Sequence, residues 1–125
     1  MLGFRNRISG VVPSLTLVGR MATGFGLAIL AIHWALIVRF LAVRAGSLSF
    51  LRLHYSVAFG VDWVDSWWFI FVYPLMGLAV FAVNLRLAIS LSRVRPEIGT
   101  MMMISASLLQ ALFAAGGSFA ILLNS

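Results

Sequence analysis

The sequence predicts an all-α membrane protein with about three transmembrane helices and a structured extracytoplasmic loop between the first two. Of its 125 residues, 62% are hydrophobic and 10% are charged, and the mean hydropathy is +1.08. A soluble domain is about 25% charged, so this chain has too few polar side chains to cover its surface in water. The charge-poor residues also fall into three runs long enough to cross a bilayer. We therefore expect one integral membrane domain over residues 1–125, surrounded by the lipid bilayer.

The three predicted spans cover residues 21–43, 67–92 and 98–123, and the longest loop covers residues 45–65. Pro74 lies inside the second span and predicts a helix kink, because proline lacks the N–H that a helical hydrogen bond requires. Residues 1–20 are expected on the cytoplasmic side, either lying in the membrane interface or extending the first span.

The arginines predict which end of the bundle faces the cytoplasm. In a three-span chain, three arginines lie on the side of the long loop, namely Arg39, Arg44 and Arg52. Six lie on the other side: Arg5, Arg7, Arg20, Arg86, Arg93 and Arg95. Cytoplasmic flanks are enriched in arginine and lysine. We therefore expect a bacterial inner (plasma) membrane protein with a cytoplasmic N-terminus and an extracytoplasmic C-terminus.

Several function classes find no support in the sequence. The chain has no cysteine, which removes disulfides and thiolate chemistry. It also lacks the motifs of nucleotide-binding proteins, serine hydrolases and zinc proteases. The net charge of +6 comes from scattered arginines, whereas a nucleic-acid-binding protein clusters its basic residues on one face. We expect no enzymatic activity, no cofactor, no metal site and no nucleic-acid partner.

His33 is the one ionisable side chain predicted in the middle of a span. Such a residue is a candidate for a functional site, here a haem or quinone ligand or a proton relay. The alternative is a neutral histidine that packs against a neighbouring helix. No second mid-span histidine is present to share a haem.

Small residues at a spacing of four predict close helix packing, either within the chain or between chains. The residues that mark these faces in the first and third spans are Gly26, Ala31, Ala35, Ala111 and Ala115.

The long loop is the least generic part of the chain, and five of its residues are candidates for a binding motif. Gly60 supplies backbone freedom for a turn, and Asp62 can accept hydrogen bonds from nearby amides. His54 can meet either Asp62 or Asp65, while Tyr55 adds to a dense set of aromatic residues. Asp65 and the serine that follows it also suit the start of the second span. The loop is then either a cap over the helix ends or a recognition surface for a peptide, a lipid or a protein.

The segment L-H-Y-S-V-A-F-G-V-D, residues 53–62, resembles a loop of small uncharacterised bacterial membrane proteins with an LHYxxxFGVD motif between their first two spans. It is more distantly similar to the domain of unknown function at the N-terminus of Sdp-type immunity membrane proteins. The matching residues are His54, Tyr55, Gly60, Asp62 and Pro74. Ser56 and Arg52 depart from the two patterns, at positions that often hold asparagine and proline. The resemblance implies a multi-pass membrane protein and assigns no biochemical activity.

Three functions remain open at this point. The first is a binding or structural membrane protein that acts through its loop and helix faces, with a homo-oligomer or a larger membrane complex as possible assemblies. The second is an accessory subunit of a respiratory or photosynthetic complex. The third is a haem- or quinone-binding protein that uses His33.

Overall fold

The computed structural model of the chain describes residues 15–44 and 46–125. Its elements are α1 (Leu17–Arg44), β1 (Phe50–Ser56), β2 (Gly60–Ser66), a 3₁₀ helix (Trp67–Phe71), α2 (Val72–Ser92) and α3 (Pro96–Leu123). Three helical segments are long and apolar enough to cross a membrane, which confirms that part of the prediction. Most of the N-terminal segment expected in the interface, including Arg5, Arg7 and Pro13, lies outside the described residues.

The first helix begins four residues earlier than predicted. The Thr16 hydroxyl accepts a hydrogen bond from the Gly19 N–H at 3.1 Å, which satisfies one of the free amides at the start of α1. The 28 residues of α1 give a length of roughly 42 Å. Because the hydrocarbon core is about 30 Å thick, α1 is longer than a perpendicular span requires.

Pro74 was expected to kink the second span, and it lies instead in the first turn of α2. The preceding five residues form the 3₁₀ helix, so the change of helix type occurs just before the proline. Proline fits there because an N–H in the first turn has no partner within the α-helix.

The third helix lies between the other two. α3 packs along both α1 and α2, whereas α1 and α2 contact each other little. Most buried residues of α3 are three, four or seven positions apart, which places them on one face of the helix. They include Gly99, Met103, Ala106, Gln110, Gly117 and Ala120. Small residues in this seam allow the backbones to approach closely.

The predicted loop contains a two-stranded antiparallel sheet, so the all-α prediction is corrected at this point. The strands pair from Phe50 opposite Ser66 to Ser56 opposite Gly60. We refer to residues 50–66 as the hairpin. Leu51 and Leu53 are buried, while the residues between and after them are exposed. This alternation fits a strand with one face against the protein.

The buried side chains form two clusters, one toward each end of the bundle. The cluster near the hairpin contains Ile37, Leu51, Leu53, Ile70 and Ala120. The other contains Leu15, Phe81, Ala88, Met103 and Ala106. The hairpin is therefore part of the apolar core at its end of the bundle, and its position is fixed by that packing.

Candidate binding surface on the hairpin

The hairpin is attached to the helix bundle through its inner face. Leu51 and Leu53 are fully buried against side chains of α1, the 3₁₀ helix and α3. Burying a leucine side chain is worth about 1.5–3 kcal/mol, so these two residues are a substantial anchor. A two-stranded hairpin alone is marginally stable in water, and packing against the helices provides the additional stability that it needs.

Asn124 fastens the hairpin to the end of α3. Its side-chain amide donates a hydrogen bond to the Arg52 carbonyl at 2.7 Å. Its side-chain oxygen accepts a hydrogen bond from the Arg52 N–H at 3.0 Å. The same amide also donates to the Ala120 carbonyl at 2.7 Å, which orients the side chain. Asn124 thus pairs with the outer edge of β1 as a neighbouring strand would.

Aromatic residues complete the base of the hairpin. The Tyr73 hydroxyl donates a hydrogen bond to the Leu53 carbonyl, which links α2 to β1. Trp63 of β2 lies edge-on to Phe69, with ring centroids 6.2 Å apart. Trp68 stacks on Phe69 at 4.1 Å. Tryptophan and tyrosine of this density are typical of the boundary between headgroups and hydrocarbon.

The outer face of the hairpin brings two of the predicted loop residues together. His54 Nδ1 donates a hydrogen bond to Asp62 Oδ1 at 2.6 Å, across the two strands. The side chains are 57% and 35% exposed. A solvated pair of this kind contributes little to stability, about 0–1 kcal/mol. Its main effect is to present a polar, ionisable group at a fixed position.

Asp65 does not join that pair. Its carboxylate accepts a hydrogen bond from the N–H of Ser66 at 2.7 Å. Ser66 occupies the N-cap position of the 3₁₀ helix, but its side chain makes no capping hydrogen bond. The second apolar helical segment begins at Trp67, as the sequence predicted. The side chain of Ser66 does not cap it.

The turn of the hairpin exposes apolar side chains. Gly60 has a φ of +72°, a conformation that favours glycine and that closes three-residue hairpin loops. The Ser56 hydroxyl accepts a hydrogen bond from the Phe59 N–H at 3.1 Å. Val57 is 96% exposed and Phe59 is 83% exposed, and Tyr55 is also exposed. Together, Val57 and Phe59 form an apolar tip beside the His54–Asp62 pair.

His33 is not part of the hairpin surface. It belongs to α1 and is buried between helices. Neither of its ring nitrogens has a hydrogen-bond partner among the described residues. The ring packs directly against the backbone of Gly117, with Nε2 occupying the space that a side chain at position 117 would need. His33 and Gly117 thus form a close contact between α1 and α3.

The five residues predicted for helix packing divide into two groups. Gly26 is buried, facing Phe81 of α2 and Ser107 of α3. The four alanines, Ala31, Ala35, Ala111 and Ala115, are exposed on the helix surface. Their spacing of four is typical of a packing face, but the helices of this chain contact each other through neighbouring positions instead. These alanines are open to lipid or to another helix.

Sequence reasoning missed three polar residues that hold the structure together: Tyr73, Gln110 and Asn124. Gln110 Nε2 donates a hydrogen bond to the Gly77 carbonyl at 2.6 Å inside the bundle. The signal that could have revealed Gln110 is its presence in an otherwise apolar span, where an amide needs a partner. Asn124 follows the last span directly, and nothing in its local sequence indicates the strand that it contacts.

Across residues 15–44 and 46–125, no group of three histidine, cysteine, aspartate or glutamate side chains is arranged to hold a metal ion. Comparison of the chain with protein-family models, curated proteins and solved structures finds no match.

Proposed function

We propose that this chain is a non-enzymatic protein of the bacterial plasma membrane that presents its hairpin outside the cytoplasm as a binding surface for a partner protein. The observation that supports this proposal most strongly is the contrast between the two faces of the hairpin. The inner face is fixed by Leu51, Leu53 and the Asn124 hydrogen bonds. The tip, by contrast, exposes Val57 and Phe59 almost completely.

A surface of this kind is suited to binding for two reasons. A base held by buried contacts has little freedom left to lose, so association costs less conformational entropy. Exposed apolar side chains next to a polar group are the usual make-up of a recognition patch. Here the apolar tip lies beside the hydrogen-bonded pair of His54 and Asp62.

The distribution of arginine supports the extracytoplasmic position of the hairpin. Asn124 contacts Arg52, so the C-terminus of α3 and the hairpin lie at the same end of the bundle. Among the described residues, that end includes Arg39, Arg44 and Arg52, and the opposite end includes Arg20, Arg86, Arg93 and Arg95. The sequence prediction assigns Arg5 and Arg7 to the same side as these four. By the positive-inside rule, this distribution supports a hairpin outside the cytoplasm. Reporter fusions at the C-terminus test this orientation, because an activity found only in the cytoplasm would refute it.

Co-purification with tip variants tests the binding function. We expect the double variant Val57→Ser and Phe59→Ser to lose a partner that the wild-type protein retains in mild detergent. Val94→Ser is the matched control, because Val94 is 81% exposed in the turn at the opposite end of the bundle. The double variant His54→Ala and Asp62→Ala should also weaken binding of the partner.

The binding proposal fails if all of these variants retain the same partners at the same yield. Equal losses from the tip variant and from Val94→Ser would also count against it, since they would reflect general exposure of apolar residues.

The exposed alanines favour a second candidate function, that of an accessory subunit in a larger membrane complex. Ala31 and Ala35 on α1, and Ala111 and Ala115 on α3, offer close approach to another helix. A native gel in mild detergent tests this candidate, because migration only as a free monomer or dimer would exclude a stable larger complex. Leucine at Ala31 and Ala35 should release the chain from such a complex.

The third hypothesis, a haem or quinone protein using His33, is less well supported. A haem iron needs open space at a ring nitrogen, and Nε2 of His33 faces the backbone of Gly117 at close contact. The purified protein can be checked directly by its absorption spectrum, where a Soret band would restore the haem hypothesis.

A further inference from the structure

A cleft of about 510 Å³ lies along α2 at the end of the bundle opposite the hairpin. It is lined by Ala82, Leu85, Arg86, Ile89, Ser90 and Arg93. Three of these residues are apolar and two are arginines, and the described part of the chain contributes no carboxylate to the cleft. The cleft therefore combines an apolar wall with positive charge.

The two arginines have no ion-pair partner in the chain as described. Over residues 15–44 and 46–125, the only ion pair joins His54 and Asp62, at the other end of the bundle. Glu97 is the nearest acidic residue in the sequence, and it forms no ion pair with Arg86 or Arg93. Both arginine side chains are exposed.

The spacing of the two arginines puts them on one face of α2. Residues seven apart lie on the same face of a helix, and their Cα atoms are roughly 10.5 Å apart along its axis. Arg93 follows the last residue of α2, so it lies at headgroup level, and Arg86 lies deeper. The long stem of a deep arginine extends toward the headgroups to avoid the hydrocarbon. Arg86 and Arg93 therefore lie on one face of α2, Arg93 just past its end and Arg86 about two turns deeper.

We propose that this cleft binds an anionic phospholipid. The phosphate lies between the guanidinium groups of Arg86 and Arg93, which are the preferred donors for phosphate oxygens. The Ser90 hydroxyl, exposed between them, hydrogen-bonds the headgroup or glycerol oxygens. An acyl chain runs along Ala82, Leu85 and Ile89 toward the middle of the bilayer. This site is separate from the hairpin and does not depend on its function.

Lipid titration of the purified protein in a neutral detergent tests the proposal. We expect phosphatidylglycerol to raise the Tm and to appear as a bound adduct in native mass spectrometry. Phosphatidylcholine, which has the same phosphate but no net charge, should bind much more weakly. Inorganic phosphate without an acyl chain should leave the Tm unchanged.

Two double variants of equal charge separate a specific site from general attraction. Arg86→Gln with Arg93→Gln should weaken phosphatidylglycerol binding roughly thirtyfold, at about fivefold for each arginine. Arg20→Gln with Arg95→Gln removes two exposed arginines from the same end of the bundle but outside the cleft. This control should change the affinity by less than about twofold.

Three results would overturn the assignment: equal losses in both double variants, equal binding of phosphatidylcholine, or a full Tm shift from inorganic phosphate alone. The last would identify a site for free phosphate. Arg93→Gln alone provides a second measurement if the double variant unfolds, because this residue lies beyond the end of α2. An affinity equal to that of the wild type would then also refute the proposal.

Discussion

Replacing Gly26 by alanine tests how closely the three helices approach. A Cβ atom at this position would lie 2.7 Å from Cε2 of Phe81 and 2.9 Å from Oγ of Ser107. These atoms belong to α2 and α3, so the added methyl group is opposed from two sides. Phe81 is buried and must move by at least about 0.7 Å to restore an ordinary contact. Ser107 donates a hydrogen bond to the Ala22 carbonyl at 2.6 Å, which its retreat would weaken.

The expected free-energy change follows from three terms. Overpacking costs about 1–3 kcal/mol, and the weakened Ser107 hydrogen bond costs about 1 kcal/mol. Alanine gains up to about 1 kcal/mol over glycine from its helix propensity. We therefore expect Gly26→Ala to lower the free energy of unfolding by about 1–3 kcal/mol, measured by reversible denaturation in mixed micelles.

Gly24 provides the matched control on the same helix. A Cβ atom there would meet nothing within 4 Å, so Gly24→Ala has the helix-propensity gain without the collision. It should be neutral or up to about 1 kcal/mol more stable than the wild type. In a Phe81→Leu background, the cost of Gly26→Ala should fall by at least about 0.5 kcal/mol, because the opposing ring is gone. Equal effects at Gly24 and Gly26, or no coupling to Phe81, would refute the packing argument.

Three further predictions concern single contacts. Gly117→Ala should destabilise the bundle by about 1–3 kcal/mol in the same denaturation assay, because its Cβ atom collides with the His33 ring. Adding His33→Ala to this variant should recover part of the lost stability. A Gly117→Ala variant as stable as the wild type would show that the helices are not packed this closely. Asn124→Ala removes two hydrogen bonds to Arg52, so the β1 amides should exchange with deuterium roughly five- to thirtyfold faster. Ser125→Ala, at the next and exposed position, should leave these exchange rates unchanged. Gly60→Ala forces an L-residue to a φ of +72° in open space, which should cost about 1 kcal/mol of local hairpin stability. Gly60→Asn should cost less. Identical amide exchange of the hairpin in the wild type and both variants would argue against this turn.

The hairpin shows where sequence reasoning stopped. Its composition identified an unusual loop, and Gly60 has the positive φ that a turn requires. Asp62 lies in β2 and contacts the His54 ring, whereas the sequence suggested hydrogen bonds from nearby amides. The alternation of Leu51 and Leu53 with exposed residues was too short to establish a strand, because a few alternating residues also occur in irregular loops. The pairing of His54 with Asp62, rather than with Asp65, depended on the strand register. Register is set by which face is buried against the helices, and that is not a local property.

The helix faces illustrate the same limit inside the membrane. Gly26 and Ala31 belong to the same predicted pattern, yet Gly26 is buried against two helices and Ala31 is exposed. Small residues are frequent on both kinds of face, since lipid tolerates alanine as readily as a helix does. A spacing of four therefore predicts a face that permits packing, and the neighbouring helices determine which face is used.

The sequence by itself predicted three helices long and apolar enough to cross a membrane, with arginines near their ends. These properties depend on the transfer of each segment from water to lipid, which is a sum over local residues. Only the tertiary structure decided that α3 packs against both other helices and that Asn124 holds the edge of β1. It also decided that the loop first singled out by its composition is a hairpin with a fixed base and an exposed tip. Such contacts join residues far apart in the chain, as Arg52 and Asn124 are, and their free energy exists only when the helices have come together.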